Sequence, residues 1–218
     1  VALELLGKAR ALLGARKEPV RAVVAGENAL DCAREMCHWG ADEVLLYDSP
    51  EFSVFRADAY ADALEDAILA YKPAAVLVGA TALGRSLAPR VAARLKTGLT
   101  ADCTGLELRE DGGLVQTRPA FGGDIMAQIV TPRTRPQFAT VRYRVMEALP
   151  RTDEPTGQVV LRAIPPIHSQ ARMLESQPIP PARSISEADI LVALEKMEAV
   201  RYAEFLKPGG VAVINDYA

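Results

Sequence analysis

Two glycine-containing loops carry the side chains best suited to hold an anion or a polar ligand. In the first, Gly79, Thr81, Gly84 and Arg85 follow the short apolar run at residues 74–78. Arginine offers five donors to a phosphate, a carboxylate or a ring carbonyl, and glycine permits close backbone approach or a positive φ. A ligand contact and a contact with a partner subunit's acid are equally compatible with this loop.

The second loop combines a cation, an aromatic ring and two glycines, in Arg118, Phe121, Gly122 and Gly123. Such a loop can place backbone amides against an anion or the edge of a ring. A glycine bulge between two strands explains the same residues equally well. Further along the chain, Arg135 and Arg142 flank Gln137 and are candidates for a cationic rim that meets a partner.

Other charged or reactive residues are expected to be structural. Cys103 lacks the cationic, exposed surroundings of a reactive thiol, so we expect Cys103 and its neighbour Asp102 to pack. Arg90 and Arg94 are four residues apart on one helix face, which is typical of solvated or interfacial positions. The preceding helix has an acidic face that we expect to be solvated rather than metal-binding. That face is formed by Asp58, Asp62, Glu65 and Asp66.

The sequence argues against several functional classes. It has no nucleophile–base pair, paired catalytic carboxylates, Walker loop or GxGxxG motif, and two histidines are too few for a histidine-built metal site. A net charge of −3 argues against a nucleic-acid binder. The apolar runs are too short to span a membrane. With no visible signal peptide and three cysteines outside any CxxC spacing, we expect a cytoplasmic location.

Alternating strands and helices position the loops in the first half of the chain. Apolar residues at helical spacing predict helices, and short β-branched runs predict strands between them. Right-handed crossovers then give an α/β, doubly wound, mostly parallel sheet with helices on both faces. The predicted helices are 3–16, 28–39, 56–71 and 84–95, and the predicted strands are 20–25, 43–47 and 75–78.

The second half of the chain is β-rich and ends in a short tail. Some of its strands are expected to extend the sheet and others to form a hairpin; they are 100–108, 113–119, 124–130 and 137–143. A proline-rich linker or extended arm follows at 149–186. The tail at 187–218 is expected to be a β-α-β unit, with strand 189–193, helix 195–206, turn 207–210 and strand 211–214. Because the chain opens at Val1 with a helical pattern, we also expect residues before it.

Several segments together resemble the N-terminal domain of the electron transfer flavoprotein alpha subunit, over residues 1 to about 150. The segments are 3–10, 40–44, 79–81, 84–85, 87–94, 97–105, 118–123, 135–137 and 139–142. The resemblance implies a Rossmann-like domain, here 1–148, that pairs with a beta subunit of similar fold. It also implies that the heterodimer carries electrons through FAD between a dehydrogenase and an acceptor. Some members of the family bifurcate electrons with a second flavin.

The resemblance makes the two loops candidates for cofactor contact, through Gly79, Thr81, Gly84, Arg85, Arg118, Phe121, Gly122 and Gly123. A guanidinium from Arg85 or Arg118 near the flavin would favour its negatively charged reduced form.

The tail departs from the family, whose glycine-rich FAD-binding loop is missing here. Tyr143-Arg144 also stands where the family usually has Pro-Gly. Residues 187–192 look like the lead-in to the family's FAD domain, but residues 189–215 are more similar to the small subunit of indolepyruvate and other 2-oxoacid ferredoxin oxidoreductases. We therefore expect 187–218 to stand in place of the FAD domain. A flavin-free docking scaffold and an adenine-nucleotide-binding domain remain alternatives for the chain.

Overall fold

The computed structural model describes residues 1–169, 188–193 and 206–214, in two compact units, Val1–Arg172 and Met173–Ala218. Four helices belong to the first unit: α1 Ala2–Leu13, α2 Leu30–His38, α3 Ala57–Tyr71 and α4 Ala82–Arg94. Its strands are β1 Arg21–Gly26, β2 Glu43–Asp48, β3 Ala75–Gly79, β4 Leu99–Cys103, β5 Gly105–Leu108, β6 Leu114–Ala120, β7 Ile125–Ile129, β8 Gln137–Val141 and β9 Gln158–Leu161. Short 3-10 turns cover Pro50–Phe52 and Phe121–Gly123.

The strands of this unit form three sheets. Two are parallel, with strand orders β1-β2-β9 and β3-β8-β4, and the third is antiparallel with order β5-β6-β7. In the parallel sheets Ala22 lies opposite Val44, and Val76 lies opposite Phe138. The α/β class with mostly parallel strands and a β-rich second half is therefore confirmed.

Helices α1 and α3 each pack against both parallel sheets. One face of α1 places Leu6 among the side chains of β1 and β2, and a second face places Leu5 among those of β3 and β8. Helix α3 does the same with Ala63 on the β2 side and Ile68 beside Phe138 of β8. Burying one leucine- or phenylalanine-sized side chain stabilises a fold by roughly 1.5–3 kcal/mol, so the packing of these two helices holds the two parallel sheets together.

Residues 100–108 were predicted as one strand, and the structure shows two. The pairing of β4 with β8 shifts register between Thr100 and Cys103, and Asp102 has a φ of 59° within that irregularity. The chain therefore changes direction at Thr104, whose amide donates to the carbonyl of Thr117 at 2.8 Å. Strand β4 stays in the parallel sheet, and β5 begins the antiparallel one.

Strand β9 lies inside the segment predicted as a linker or extended arm. Its parallel pairing with β2 is extended at both ends, where Gln158 N donates to Asp42 O at 2.9 Å and Arg162 N donates to Leu46 O at 2.8 Å. Four residues among prolines give too little periodicity to mark a strand, so the pattern missed an element that only tertiary pairing stabilises.

The acidic face of α3 forms hydrogen bonds with α4, β2 and the residue after β9, so the expectation that this face is solvated is wrong. Asp62 is buried and accepts a hydrogen bond from Arg94 Nη1 of α4 at 2.7 Å, so Arg94 is not simply solvated either. Asp66 accepts from the Tyr47 hydroxyl at 2.6 Å and from Arg162 Nη2 at 3.1 Å. Burial and this carboxylate raise the pKa of Tyr47. The face therefore ties α4 and the end of β9 to α3.

The second unit contains two described strands, β10 Ala188–Ala193 and β11 Leu206–Ile214, which pair in parallel. The predicted turn at 207–210 falls inside β11. A step of two residues along β10, from Ala188 to Ile190, is matched by a step of five along β11, from Leu206 to Val211, so the pairing is irregular there. All but the last residue of the predicted helix 195–206 lie outside the described part of the chain.

Candidate functional site

The loops that follow β3, β8 and β4 meet at one edge of a parallel sheet. Two backbone hydrogen bonds hold them there: Ala80 N donates to Val141 O at 2.7 Å, and Arg142 N donates to Cys103 O at 3.0 Å. In open α/β sheets, ligands bind outside the carboxyl ends of the strands. The first predicted loop begins at this edge, and Arg142, which follows β8, lines a groove together with the second.

Thr81 and Gly84 shape the first loop. Thr81 is the N-cap of α4, and its Oγ1 accepts a hydrogen bond from Gly84 N at 3.2 Å. A Cβ added to Gly84 would come far closer to Gly79 O than the 3.0 Å below which real Cβ atoms essentially never occur. Close backbone approach, and not a positive φ, is therefore why glycine stands here. The tight turn fixes the direction in which Arg85 leaves the helix.

Arg85 forms an ion pair within the chain. Its Nε and Nη2 donate to the two carboxylate oxygens of Asp102, each at 3.1 Å. The left-handed backbone of Asp102 is held by a hydrogen bond from its amide to Thr140 Oγ1 at 2.9 Å. The expectation that Asp102 simply packs is wrong, because it balances the charge of Arg85 in a bidentate pair.

The second loop lines an open groove of about 360 Å³ with Arg118, Pro119, Ala120, Phe121, Gly123 and Arg142. Phe121 is 82% exposed and has a φ of 49°, and Gly123 has a φ of 106°. Gly122 lies between them in the short 3-10 turn. The loop and Arg142 thus place one aromatic residue and two arginines around one open groove.

Arg118 and Arg142 differ from Arg85 in their charge balance. Within the described part of the chain, neither forms an ion pair with a carboxylate. Arg118 lies near the Cys103 thiol, whose pKa burial raises to about 11 while the positive charge of Arg118 opposes the rise. Cys103 is fully buried, so the expectation that it packs is confirmed.

Strand β4 connects the first loop to the segment that follows β8, because Asp102 pairs with Arg85 and the carbonyl of the next residue, Cys103, accepts a hydrogen bond from Arg142 N. Of the proposed cationic rim, Arg135 and Arg142 are exposed and stay candidates to meet a partner, whereas Gln137 does not reach the surface. Arg135 donates to carbonyl groups of its own loop, and Gln137 is buried, with its amide oxygen accepting from Leu114 N at 2.7 Å.

The sequence analysis did not include Asp102 among the site residues and named Arg142 only as part of the cationic rim. The available signal for both was position, since each follows or ends a strand at the carboxyl edge of the predicted sheet. In the described residues there is no group of three or more His, Cys, Asp or Glu side chains that could hold a metal ion. No helix in this part of the chain is long and apolar enough to cross a membrane.

Comparison with known proteins identifies a family for most of the chain. The family model described as "Electron transfer flavoprotein domain" matches residues 1–166. The chain is 50% identical over 204 residues to lactate dehydrogenase (NAD(+),ferredoxin) subunit LctC of Acetobacterium woodii, which covers 94% of this chain and 45% of that protein. It is 48% identical over 160 residues to the electron transfer flavoprotein subunit alpha of Thermoanaerobacterium thermosaccharolyticum, covering 73% of this chain and 48% of that protein.

A third relative is the acryloyl-CoA reductase electron transfer subunit beta of Anaerotignum propionicum. It is 40% identical over 167 residues, covering 66% of this chain and 46% of that protein. The chain thus spans about half the length of the curated relatives it matches. Because the match to LctC covers 94% of the chain, the similarity extends past residue 186 into the tail.

Proposed function

Because the chain belongs to the electron transfer flavoprotein domain family, we propose that it acts as an alpha-type subunit that carries electrons through FAD with a beta-type subunit. Its electron donor would be a dehydrogenase, and its acceptor a second redox protein. The observation that carries the proposal is the family match over residues 1–166, which includes both candidate loops. The names of the three relatives, a dehydrogenase subunit and two electron transfer subunits, support the same class.

We assign the groove to one edge of the flavin. Ligand pockets usually measure about 300–1,000 Å³, and this open groove of about 360 Å³ lies at the low end of that range. FAD, when bound, supplies the one- and two-electron chemistry, and the protein supplies orientation and electrostatics. We assign Arg118, Phe121, Gly122 and Gly123 to contact with the cofactor edge, and Gly79, Thr81, Gly84 and Arg85 to the neighbouring wall.

Arg118 is the better candidate of the two arginines for electrostatic tuning. The charge of Arg85 is balanced by Asp102, whereas Arg118 faces the groove and has no described ion-pair partner. A fixed guanidinium stabilises negative charge that arises near it. At about 4 Å the interaction of two unit charges is worth roughly 1 kcal/mol in water and about 4 kcal/mol near a protein surface.

The first test is an absorption spectrum of the chain alone and of the chain co-purified with the beta-type subunit of the same organism. The proposal expects the absorption bands of oxidised flavin in the complex, with at least one FAD per heterodimer. A colourless complex would contradict it and favour a flavin-free docking scaffold. Binding of AMP or ATP by a colourless chain would favour an adenine-nucleotide-binding domain.

The role of Arg118 is tested by the reduction potential of the flavin in the complex. Arg118→Ala is expected to lower the potential by tens of millivolts, because about 60 mV corresponds to a tenfold change for one electron. The matched control is Arg90→Ala, which removes an exposed arginine that does not line the groove. Equal potentials in Arg118→Ala and the wild type would remove Arg118 from the cofactor's surroundings.

A further inference from the structure

Asp102 combines a left-handed backbone with a carboxylate that this backbone does not need. Its φ of 59° lies in the left-handed region, at the point where the register of β4 against β8 shifts. Its amide donates to Thr140 Oγ1 at 2.9 Å, which holds the backbone in place. Glycine and asparagine adopt this conformation at least as readily as aspartate. The irregularity in the strand therefore does not explain why the residue is an acid.

The carboxylate meets a single cation. Its two oxygens accept from Nε and Nη2 of Arg85, each at 3.1 Å, and no other described carboxylate forms an ion pair with Arg85. The pair is open to solvent, with 55% of the Arg85 side chain and 24% of the Asp102 side chain exposed. Exposed ion pairs add little to stability, so stability does not explain the acid either. Strained backbone is found most often at functional sites.

The charge of Asp102 acts beyond Arg85. Burial raises the pKa of the Cys103 thiol to about 11, the positive charge of Arg118 lowers it, and the negative charge of Asp102 raises it. The carbonyl of Cys103 accepts a hydrogen bond from the amide of Arg142, which lines the groove with Arg118. The potential at this edge of the sheet is therefore a sum to which Asp102 contributes a negative charge.

We propose that Asp102 is a positioning residue that holds the guanidinium of Arg85 beside β4 and cancels its charge, and so lowers the reduction potential of a flavin bound at the groove. A bidentate pair fixes direction as well as charge. Without the carboxylate, Arg85 would add a further unbalanced cation to the site, and negative charge on the reduced flavin would be stabilised more strongly. This inference rests on the proposed function, since it assigns a part in tuning the same cofactor.

Asp102→Asn removes the charge and keeps the shape. Asparagine tolerates a positive φ, and its backbone amide still donates to Thr140. In the complex of the full chain with the beta-type subunit, we expect reduction of the flavin to become threefold to tenfold more favourable, which is about 30–60 mV for one electron.

The partner of Asp102 gives the opposite sign. Arg85→Ala leaves the negative charge of Asp102 unbalanced and should lower the potential. The double variant carries neither charge and should stay within about twofold of the wild type, or about 20 mV. If Asp102→Asn does not fold, Arg85→Ala alone still tests the proposal, and an unchanged potential in that variant overturns it.

Asp153→Asn is the matched control. Asp153 also accepts a hydrogen bond from an arginine, Arg151 Nη1, at 3.1 Å. Its neighbour Thr152 donates to the carbonyl of His38 at the end of α2. A helix between two parallel strands runs back to the opposite edge of the sheet, so this variant removes the same charge far from the candidate site. Its potential should stay within about twofold of the wild type.

The outcomes separate this inference from the proposed function. Equal potentials in Asp102→Asn and the wild type, with a lower potential in Arg118→Ala, would overturn the inference and leave the proposed function standing. Shifts of the same sign in Asp102→Asn and Arg85→Ala would indicate a disturbed backbone in place of a charge effect, and would overturn it as well. A complex without flavin would contradict the proposed function, and this inference with it.

Discussion

Gly84→Ala is expected to destabilise the chain, although alanine is the better helix former. Gly84 is the third residue of α4, where alanine would normally gain about 1 kcal/mol over glycine. Here an added methyl group would collide with Gly79 O and would stand 3.0 Å from Val78 Cγ1. The main obstacle is a backbone carbonyl at the end of β3, which cannot rotate away as a flexible side chain can.

The size of the effect follows from these opposing contributions. Inserting a methyl group into a well-packed site costs about 1–3 kcal/mol, occasionally more, and a backbone obstacle places Gly84 at the upper end. Subtracting the gain in helix propensity leaves a net loss of about 1–2 kcal/mol. For a chain of this size, 1 kcal/mol corresponds to about 2–4 °C in melting temperature. The variant should therefore melt roughly 2–8 °C below the wild type.

Thermal unfolding followed by circular dichroism measures this effect, with Ser86→Ala as the control. Ser86 is exposed on the same helix, so its replacement by alanine should leave the melting temperature unchanged or raise it slightly. If Gly84→Ala melts at or above the wild type, the close approach of α4 to the end of β3 is not rigid. The account of how Arg85 is positioned would then be wrong.

The remaining predictions concern a carboxyl group, the thiols and a helix cap. Hydrogen bonds from Arg151 and Trp39 hold the pKa of Glu35 at about 2, below its ordinary 4.5. The lowered pKa of Glu35 stabilises the folded state fully above pH 4.5, and this stabilisation is lost as the pH falls towards 2. In Arg151→Ala, NMR titration should find a higher pKa for Glu35. Native alkylation at neutral pH should label exposed Cys32 and spare the buried thiols; labelling of Cys103 would contradict its burial. In urea unfolding, Thr81→Ala should lower the free energy of unfolding by about 1 kcal/mol, and Thr81→Ser should lower it much less because serine keeps the capping hydroxyl. Equal losses in the two variants would show that the hydrogen bond from Gly84 N to Thr81 does not stabilise α4.

The helices and the central strands could be predicted because their signals are local. Apolar spacing located α3, predicted at 56–71 and observed at Ala57–Tyr71, since a helix of this length repeats its pattern over four turns. In the sequence, Pro73 and Gly79 bound the apolar run of β3, and the predicted strand 75–78 differs from the observed Ala75–Gly79 by one residue. The residues that begin and end such elements are recognisable in the sequence, so tertiary contacts alter only the last residue or two at each end.

The elements that the sequence analysis misplaced depend on partners distant in the chain. Strand β9 is defined by its pairing with β2, more than a hundred residues earlier. The break between β4 and β5 is set by the left-handed conformation of Asp102, a residue type with no strong local requirement for it. The roles of Asp62 and Asp66 likewise depend on Arg94 and Arg162, which helical spacing alone could not identify.

The site shows the same division between local and distant causes. Sequence placed Arg85 after a strand and at the start of a helix, which is where it lies, but gave no sign of its pairing with Asp102. An exposed ion pair contributes little to stability, usually below about 1 kcal/mol. Its main consequence is therefore electrostatic, because the carboxylate reduces the positive potential that Arg85 presents at the sheet edge.

Because Asp102 balances the charge of Arg85 on α4, the unbalanced positive charge of the site lies on the hairpin of β6 and β7 and on the segment after β8. With Arg85 balanced by Asp102, the cations available at the groove are Arg118 and Arg142. Arg118 belongs to that hairpin. The positive potential at the groove is therefore set mainly by Arg118 and Arg142, so Arg118→Ala should lower the flavin potential even in a complex saturated with the beta-type subunit.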